Sequence, residues 1–297
     1  MIFLPPVHIS PKKAIPIYHT KFVLGNYLYF IYDKDAETNW VMKRLDLKTF
    51  NHTSLDVQFE EGFQARIPEQ SEGVIVKRGK AYSWNCRVNF LLEGRIDADC
   101  FHWRKINASG PMPPFRASFS IDDGTDNYLS FIAEGTGDET LSMYRLDLTT
   151  FVWSRQGMVI EQQIIVNELR SFPPWMYPWS DFLVGHQVHF IRFRGRSHLI
   201  LDIATLEWTA DESISPNYIY FSDGLQVHMI GKDDSTPQKR KSNKSIISRY
   251  DAGEMEWNQI SQIANVHPID QSRYDCFNVG TRIVIVEGFR HGRTNPI

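Results

Sequence analysis

An aspartate followed six positions later by a tryptophan occurs four times in this chain. The copies are Asp97-Ala-Asp-Cys-Phe-His-Trp103, Asp147-Leu-Thr-Thr-Phe-Val-Trp153, Asp202-Ile-Ala-Thr-Leu-Glu-Trp208 and Asp251-Ala-Gly-Glu-Met-Glu-Trp257. A fifth segment, Asp46-Leu-Lys-Thr-Phe-Asn-His52, keeps the frame with His in the Trp place. The five aspartates stand 51, 50, 55 and 49 residues apart. One turn motif per period of about 50 residues indicates a fold assembled from copies of one small unit.

Each copy follows a short apolar run: Met42-Lys-Arg-Leu45, Met143-Tyr-Arg-Leu146, His198-Leu-Ile-Leu201 or Ile246-Ile-Ser-Arg-Tyr250. These runs read as strands. The aspartate ends the strand, because its short carboxylate accepts hydrogen bonds from amides two or three residues on and closes a turn. The tryptophan opens the next strand and turns its ring to the core.

A second feature recurs upstream of the aspartates: a strand, a Gly-bearing turn and another strand. The copies centre on Gly25, Gly79, Gly124, Gly185, Gly224 and Gly280. Glycine with a polar neighbour supplies the positive φ of a tight hairpin. Alternation in Val188-His-Phe190 and Val227-His-Met229 has period two, the period of a strand. Together the two features give four strands per repeat, in the order strand a, turn, strand b, loop, strand c, turn, strand d. A four-stranded antiparallel unit repeated in this way is a propeller blade. The expectation is an all-β, six-bladed propeller forming one domain over 1–297. Its blades fall at about 20–60, 70–110, 115–160, 175–212, 216–262 and 270–297. The last blade has a hairpin at Gly280 and no Asp–Trp turn after it, so residues 1–16 are expected to complete it and remove a sheet edge.

The repeat resembles the Kelch repeat: an apolar hairpin, a loop, Tyr or Leu before Asp, then Thr and Trp at the six-residue interval. Gly110-Pro-Met-Pro-Pro-Phe-Arg116 is similar to the segment that joins Kelch blades. The resemblance covers most of residues 20–290. Kelch repeats close strand b with a Gly-Gly pair. The corresponding places here read Tyr32-Asp33, Asn85-Cys86, Glu134-Gly135, Arg194-Gly195, Gly231-Lys232 and Glu287-Gly288, with no doublet. What the resemblance implies is a protein-interaction module without enzymatic activity or cofactor. It further implies kinship with the substrate-recruiting adaptors of cullin–RING ubiquitin ligases.

The net charge is −3 and the pI about 6.4, so no global positive field draws nucleic acid or a membrane surface. Cys86, Cys100 and Cys276 lack paired spacing, which suits reduced thiols in the cytoplasm or nucleus. The N-terminus has no basic region leading into an apolar run, so no signal peptide is expected. The expected partner is a protein or peptide, taken by a monomer.

Binding groups of a propeller ride on its loops. Phe172-Pro-Pro-Trp-Met-Tyr-Pro-Trp179 is stiff and aromatic, and Trp175, Tyr177 and Trp179 are candidate partner-binding residues. Arg116 and Arg273 precede inner strands, while Arg192, Arg194 and Arg196 follow one. Guanidinium groups gathered at one end of a ring suit a carboxylate of the partner. The Lys239-Arg-Lys241 cluster reads first as part of a solvated loop.

The rival reading is a propeller enzyme: an oxidase, a mutarotase or a glycan hydrolase. A copper oxidase of this type needs a His and Tyr ligand set beside a Cys, and nothing marks one here. His186, His189 and His228 read as outward strand or turn residues. No phosphate loop, nucleophile elbow or His-Glu-x-x-His is present. Asp122 and Asp123 read as turn residues.

Overall fold

The structure is a computed structural model. It describes residues 20–33, 40–49, 51–60, 71–85, 90–97, 99–114, 118–134, 141–158, 160, 179–192, 198–211, 218–223, 225–232, 245–254, 256–263, 274–279 and 282–287. Among them every regular element is a strand. Unit one comprises β1 (Thr20–Leu24), β2 (Tyr27–Asp33), β3 (Trp40–Asp46) and β4 (His52–Phe59). Unit two comprises β5 (Ser71–Lys77), β6 (Lys80–Asn85), β7 (Phe90–Asp97) and β8 (Cys100–Lys105). Unit three holds β9 (Ser118–Ile121), β10 (Tyr128–Glu134), β11 (Leu141–Asp147) and β12 (Trp153–Gly157). Unit four holds β13 (Trp179–Val184), β14 (Gln187–Arg192), β15 (His198–Asp202) and β16 (Trp208–Asp211). Unit five holds β17 (Tyr218–Ser222), β18 (Val227–Lys232), β19 (Ser245–Asp251) and β20 (Glu256–Ile263), and a hairpin of β21 (Tyr274–Val279) and β22 (Arg282–Glu287) follows.

Consecutive strands within each unit pair antiparallel. Units one and two are not separate sheets, as six independent blades would require. Their fourth strands pair in parallel from Asp56 with Cys100 to Phe59 with Trp103, making one eight-stranded sheet. The pairing gives two outer edges each other's open N–H and C=O groups. Units three, four and five are four-stranded sheets, and β21–β22 is a two-stranded one. Residues 1–16, expected to add an outer strand to the sixth blade, lie outside the described residues.

The first strands of the units sit side by side. β1 lies against β5, β5 against β9, β13 against β17, β17 against β21, and β21 against β1. Between β9 and β13, Gly124 comes so close to Leu183 that a Cβ on it would stand 2.8 Å from Leu183 Cδ2. The first strands thus follow one another round most of a ring, the layout of a propeller.

Alternation along each strand sorts side chains to two seams. Phe22, Tyr29, Met42 and Leu55 of unit one meet Ala81, Leu92, Phe101 and Trp103 of unit two. Tyr82, Trp84 and Leu91 meet Leu129, Phe131, Tyr144 and Trp153 of unit three. Ile132 and Met143 meet Val188, Phe190, Leu199 and Trp208 of unit four. Ile191 and Ile200 meet Tyr218, Tyr220, Met229 and Tyr250 of unit five. The core is thus a series of layers between sheets.

Candidate functional site

The recurrent aspartates make the turns. Asp46 Oδ1 accepts the amides of Lys48 (2.7 Å) and Thr49 (3.1 Å), and Asp147 Oδ1 those of Thr149 (2.6 Å) and Thr150 (3.1 Å). Asp202 takes Ala204 and Thr205, and Asp251 takes Gly253 and Glu254. These amide donors hold the Asp46 and Asp147 carboxyls below the usual carboxylate range. Phe151 (φ 54°) and Leu206 (φ 61°) then bring the chain back in the left-handed region, which neither residue type favours. In these units the residue before the aspartate pairs with the residue six after it: Leu45 with His52, Leu146 with Trp153, Leu201 with Trp208 and Tyr250 with Trp257.

The second copy is built differently. Asp97 pairs directly with Cys100, so only two residues turn, and Trp103 falls opposite Gly94 three places into β8. Its spacing matches the others while its register does not. Trp103 and Trp153 are buried and Trp257 is half-buried, whereas His52 is exposed.

Antiparallel order puts the turns between first and second strands, and between third and fourth, at one end of each sheet. The loops between second and third strands and the connections between units leave from the other end. Two of the eight candidate binding residues are placed there by described backbone: Trp179 opens β13, Arg192 closes β14, and the two are register partners. Arg116, Arg273, Arg194, Arg196, Trp175 and Tyr177 lie outside the described residues, as does the Lys239-Arg-Lys241 cluster.

At the turn end, charges tie neighbouring units together. Lys77 Nζ stands 2.6 Å from Asp122 Oδ1 of the next unit. Arg78 donates to Asn127 and, at 3.2 Å, to Thr149 Oγ1. Asp123 is more than the turn residue expected: it is buried, accepts from Ser130 Oγ at 2.6 Å and pairs with Arg145 at 3.4 Å. Asp181 is exposed at its surface, while desolvation by the surrounding protein, with the Asp122 carboxylate adding, pushes its carboxyl up to about 6.

Two of the three histidines depart from their expected placing. His186 is exposed and stands 3.0 Å from Asp202, but His189 and His228 are buried. His228 reaches Asp223 at 3.0 Å. His189 Nδ1 lies 2.9 Å from His198 Nε2, which is fully buried. Alternation marks a strand face without saying which face a neighbouring sheet covers, so the sequence missed this pair. Among the described residues no group of three or more His, Cys, Asp or Glu is placed to hold a metal, and no helix is long and apolar enough to cross a membrane.

No family model matches the chain, and no curated protein matches it. Among solved structures it is similar to the β-propeller domain of Cps50 (Swd1) from Myceliophteria thermophila, at 10% identity and a TM-score of 0.43 over 86% of this chain and 75% of that one. A putative 6-phosphogluconolactonase from Bacteroides uniformis shares 14% identity, with a TM-score of 0.40 over 83% and 68%. The β-propeller domain of the trilobed protease from Pyrococcus furiosus, described with an open velcro topology, shares 10%, with a TM-score of 0.37 over 82% and 72%. Likeness at these levels carries no conclusion about activity.

Proposed function

We propose that this chain is a six-bladed Kelch-type propeller that acts as a non-enzymatic protein-interaction module. The N-terminal segment completes the hairpin β21–β22 as the sixth blade. An acidic peptide of the partner is held at the end of the sheets from which the connections between units leave. The observation that supports this reading is the register pairing of Trp179 with Arg192 at that end. Arg273 immediately precedes β21 and Arg116 stands two residues before β9, and the first residues of these strands lie at the same end of their own sheets. Arginine and tryptophan together suit a carboxylate flanked by apolar groups. In its most specific form the module recruits substrates to a cullin–RING ubiquitin ligase in the cytoplasm or nucleus, a role that rests on the Kelch resemblance.

An array of acidic peptides and their amide counterparts tests the site. The protein is expected to retain the acidic set. Charge reversal of Arg116 and Arg273 together is expected to weaken that binding at least about tenfold, the equivalent of one good charged contact. Equal binding of both peptide sets, or an unaffected double variant, would place recognition elsewhere.

A further inference from the structure

The seam between units four and five buries apolar and aromatic groups, as the other described seams do, and sets the imidazoles of His189 and His198 among them. His189 Nδ1 stands 2.9 Å from His198 Nε2. His198 Nδ1 stands 3.5 Å from Asp211 Oδ2, and the Tyr250 hydroxyl of unit five donates to that same oxygen at 2.7 Å. The Tyr250 ring meets both imidazoles edge-on, with centroids 5.7 and 4.8 Å away. A line of polar groups thus crosses from one sheet to the next through an apolar layer.

Counting protons shows what this line tolerates. Two neutral imidazoles share one proton across the nitrogen–nitrogen contact. One further proton still fits, since whichever ring carries it donates to the facing nitrogen of the other, while His198 Nδ1 faces Asp211 in either case. A second added proton makes both facing nitrogens donors and puts two cations in contact inside a dry seam. Asp211 is the one carboxylate among the described groups facing the pair, and it lies on the His198 side. From β17 the facing titratable groups are Tyr218 and Tyr220, and from β19 Tyr250; β18 presents Val227 and Met229, and β20 presents Trp257. None of these side chains is a carboxylate.

We propose that this seam is an acid-operated latch: full protonation of the His189–His198 pair releases unit four from unit five while the other seams stay closed. Release uncovers Tyr220, Tyr250 and Trp257 as an aromatic surface. Burial, and then His198, lower His189 from its ordinary 6.5 to about 3 in the closed state. The open state therefore binds the proton more readily, so the seam is firmest above 6.5 and weakens as pH falls toward 3.

Hydrogen exchange at about pH 7.5 and about pH 5, corrected for intrinsic exchange, reads the latch directly, because an uncovered histidine titrates between them. Amides of β14, β15 and β19 are expected to lose protection at least about tenfold more than those of β6, β7, β10 and β11. His189→Gln, which keeps a polar side chain without a titrating group, is expected to abolish that difference. Uniform loss across all sheets, or an unchanged difference in the variant, overturns the proposal. Should the variant fold poorly, the imidazole resonances of the wild-type protein decide: His189 protonation is expected to coincide with the loss of protection, and protonation in a seam that stays closed refutes the latch.

Discussion

Gly94 pairs with Trp103, and the Phe101 ring, with the indole behind it, fills the space where a side chain on residue 94 would stand. A Cβ there would lie 2.8 Å from Trp103 Cζ3 and 2.6 Å from Phe101 Cζ. Gly94→Ala is expected to cost about 1–3 kcal/mol by overpacking. Chemical denaturation measures it, and adding Phe101→Leu is expected to return part of the loss.

Trp153 and His52 occupy equivalent register positions, one buried and the other exposed. Trp153→Ala is expected to destabilise by about 3–5 kcal/mol and His52→Ala by less than about 1. A loss below about 1 kcal/mol at Trp153 would remove its packing role between units two and three.

Arg78 sits at φ 50° in the two-residue turn before β6, beside Gly79 at φ 69°. Its left-handed conformation opposes the hydrogen bonds it donates to Asn127 and Thr149. Arg78→Gly is expected to change stability by less than about 1 kcal/mol, because relief of strain offsets the lost contacts. Arg78→Val, which can do neither, is expected to cost about 1–2 kcal/mol. Thermal unfolding of both variants separates backbone from side chain.

Glu93 is buried, with Arg104 Nε at 2.8 Å and Lys80 Nζ at 3.0 Å. Burial raises its carboxyl, but the hydrogen bonds and charges of Arg104 and Lys80 outweigh that and hold it below the usual 4.5. The folded value lies below the unfolded one, so the contribution is present above 4.5 and disappears as pH falls through the folded value. Stability measured against pH should lose this acid step in Glu93→Gln. Arg104→Ala, which strips a cation from a buried carboxylate, is expected to destabilise more than Glu93→Gln does.

Removal of residues 1–16 tests the proposed completion of the ring. The melting temperature is expected to fall by several degrees, as it does when a stabilising strand worth more than about 1 kcal/mol is lost. An unchanged midpoint would leave β21–β22 as the whole of the last sheet.

The sequence by itself determined the strands, their order within a unit and the turns. Those features are local: an aspartate carboxylate reaches amides two and three residues away whatever surrounds it, as at Asp46, Asp147, Asp202 and Asp251. Tertiary structure decided what spacing cannot encode. Asp97 and Trp103 keep the six-residue interval, yet a tighter turn shifts their register. The parallel pairing of β4 with β8 joins residues more than forty apart, and no local pattern signals which open edge will meet which. Trp179 and Arg192 became partners through a hairpin whose register extends from Gly185 outward. His189 and His228 alternate with apolar neighbours in the way outward residues do, yet Tyr250 of the next sheet packs against His189, and His228 is buried beside Phe221. Period-two patterning distinguishes two faces of a strand, but their burial depends on the sheet packed against each one.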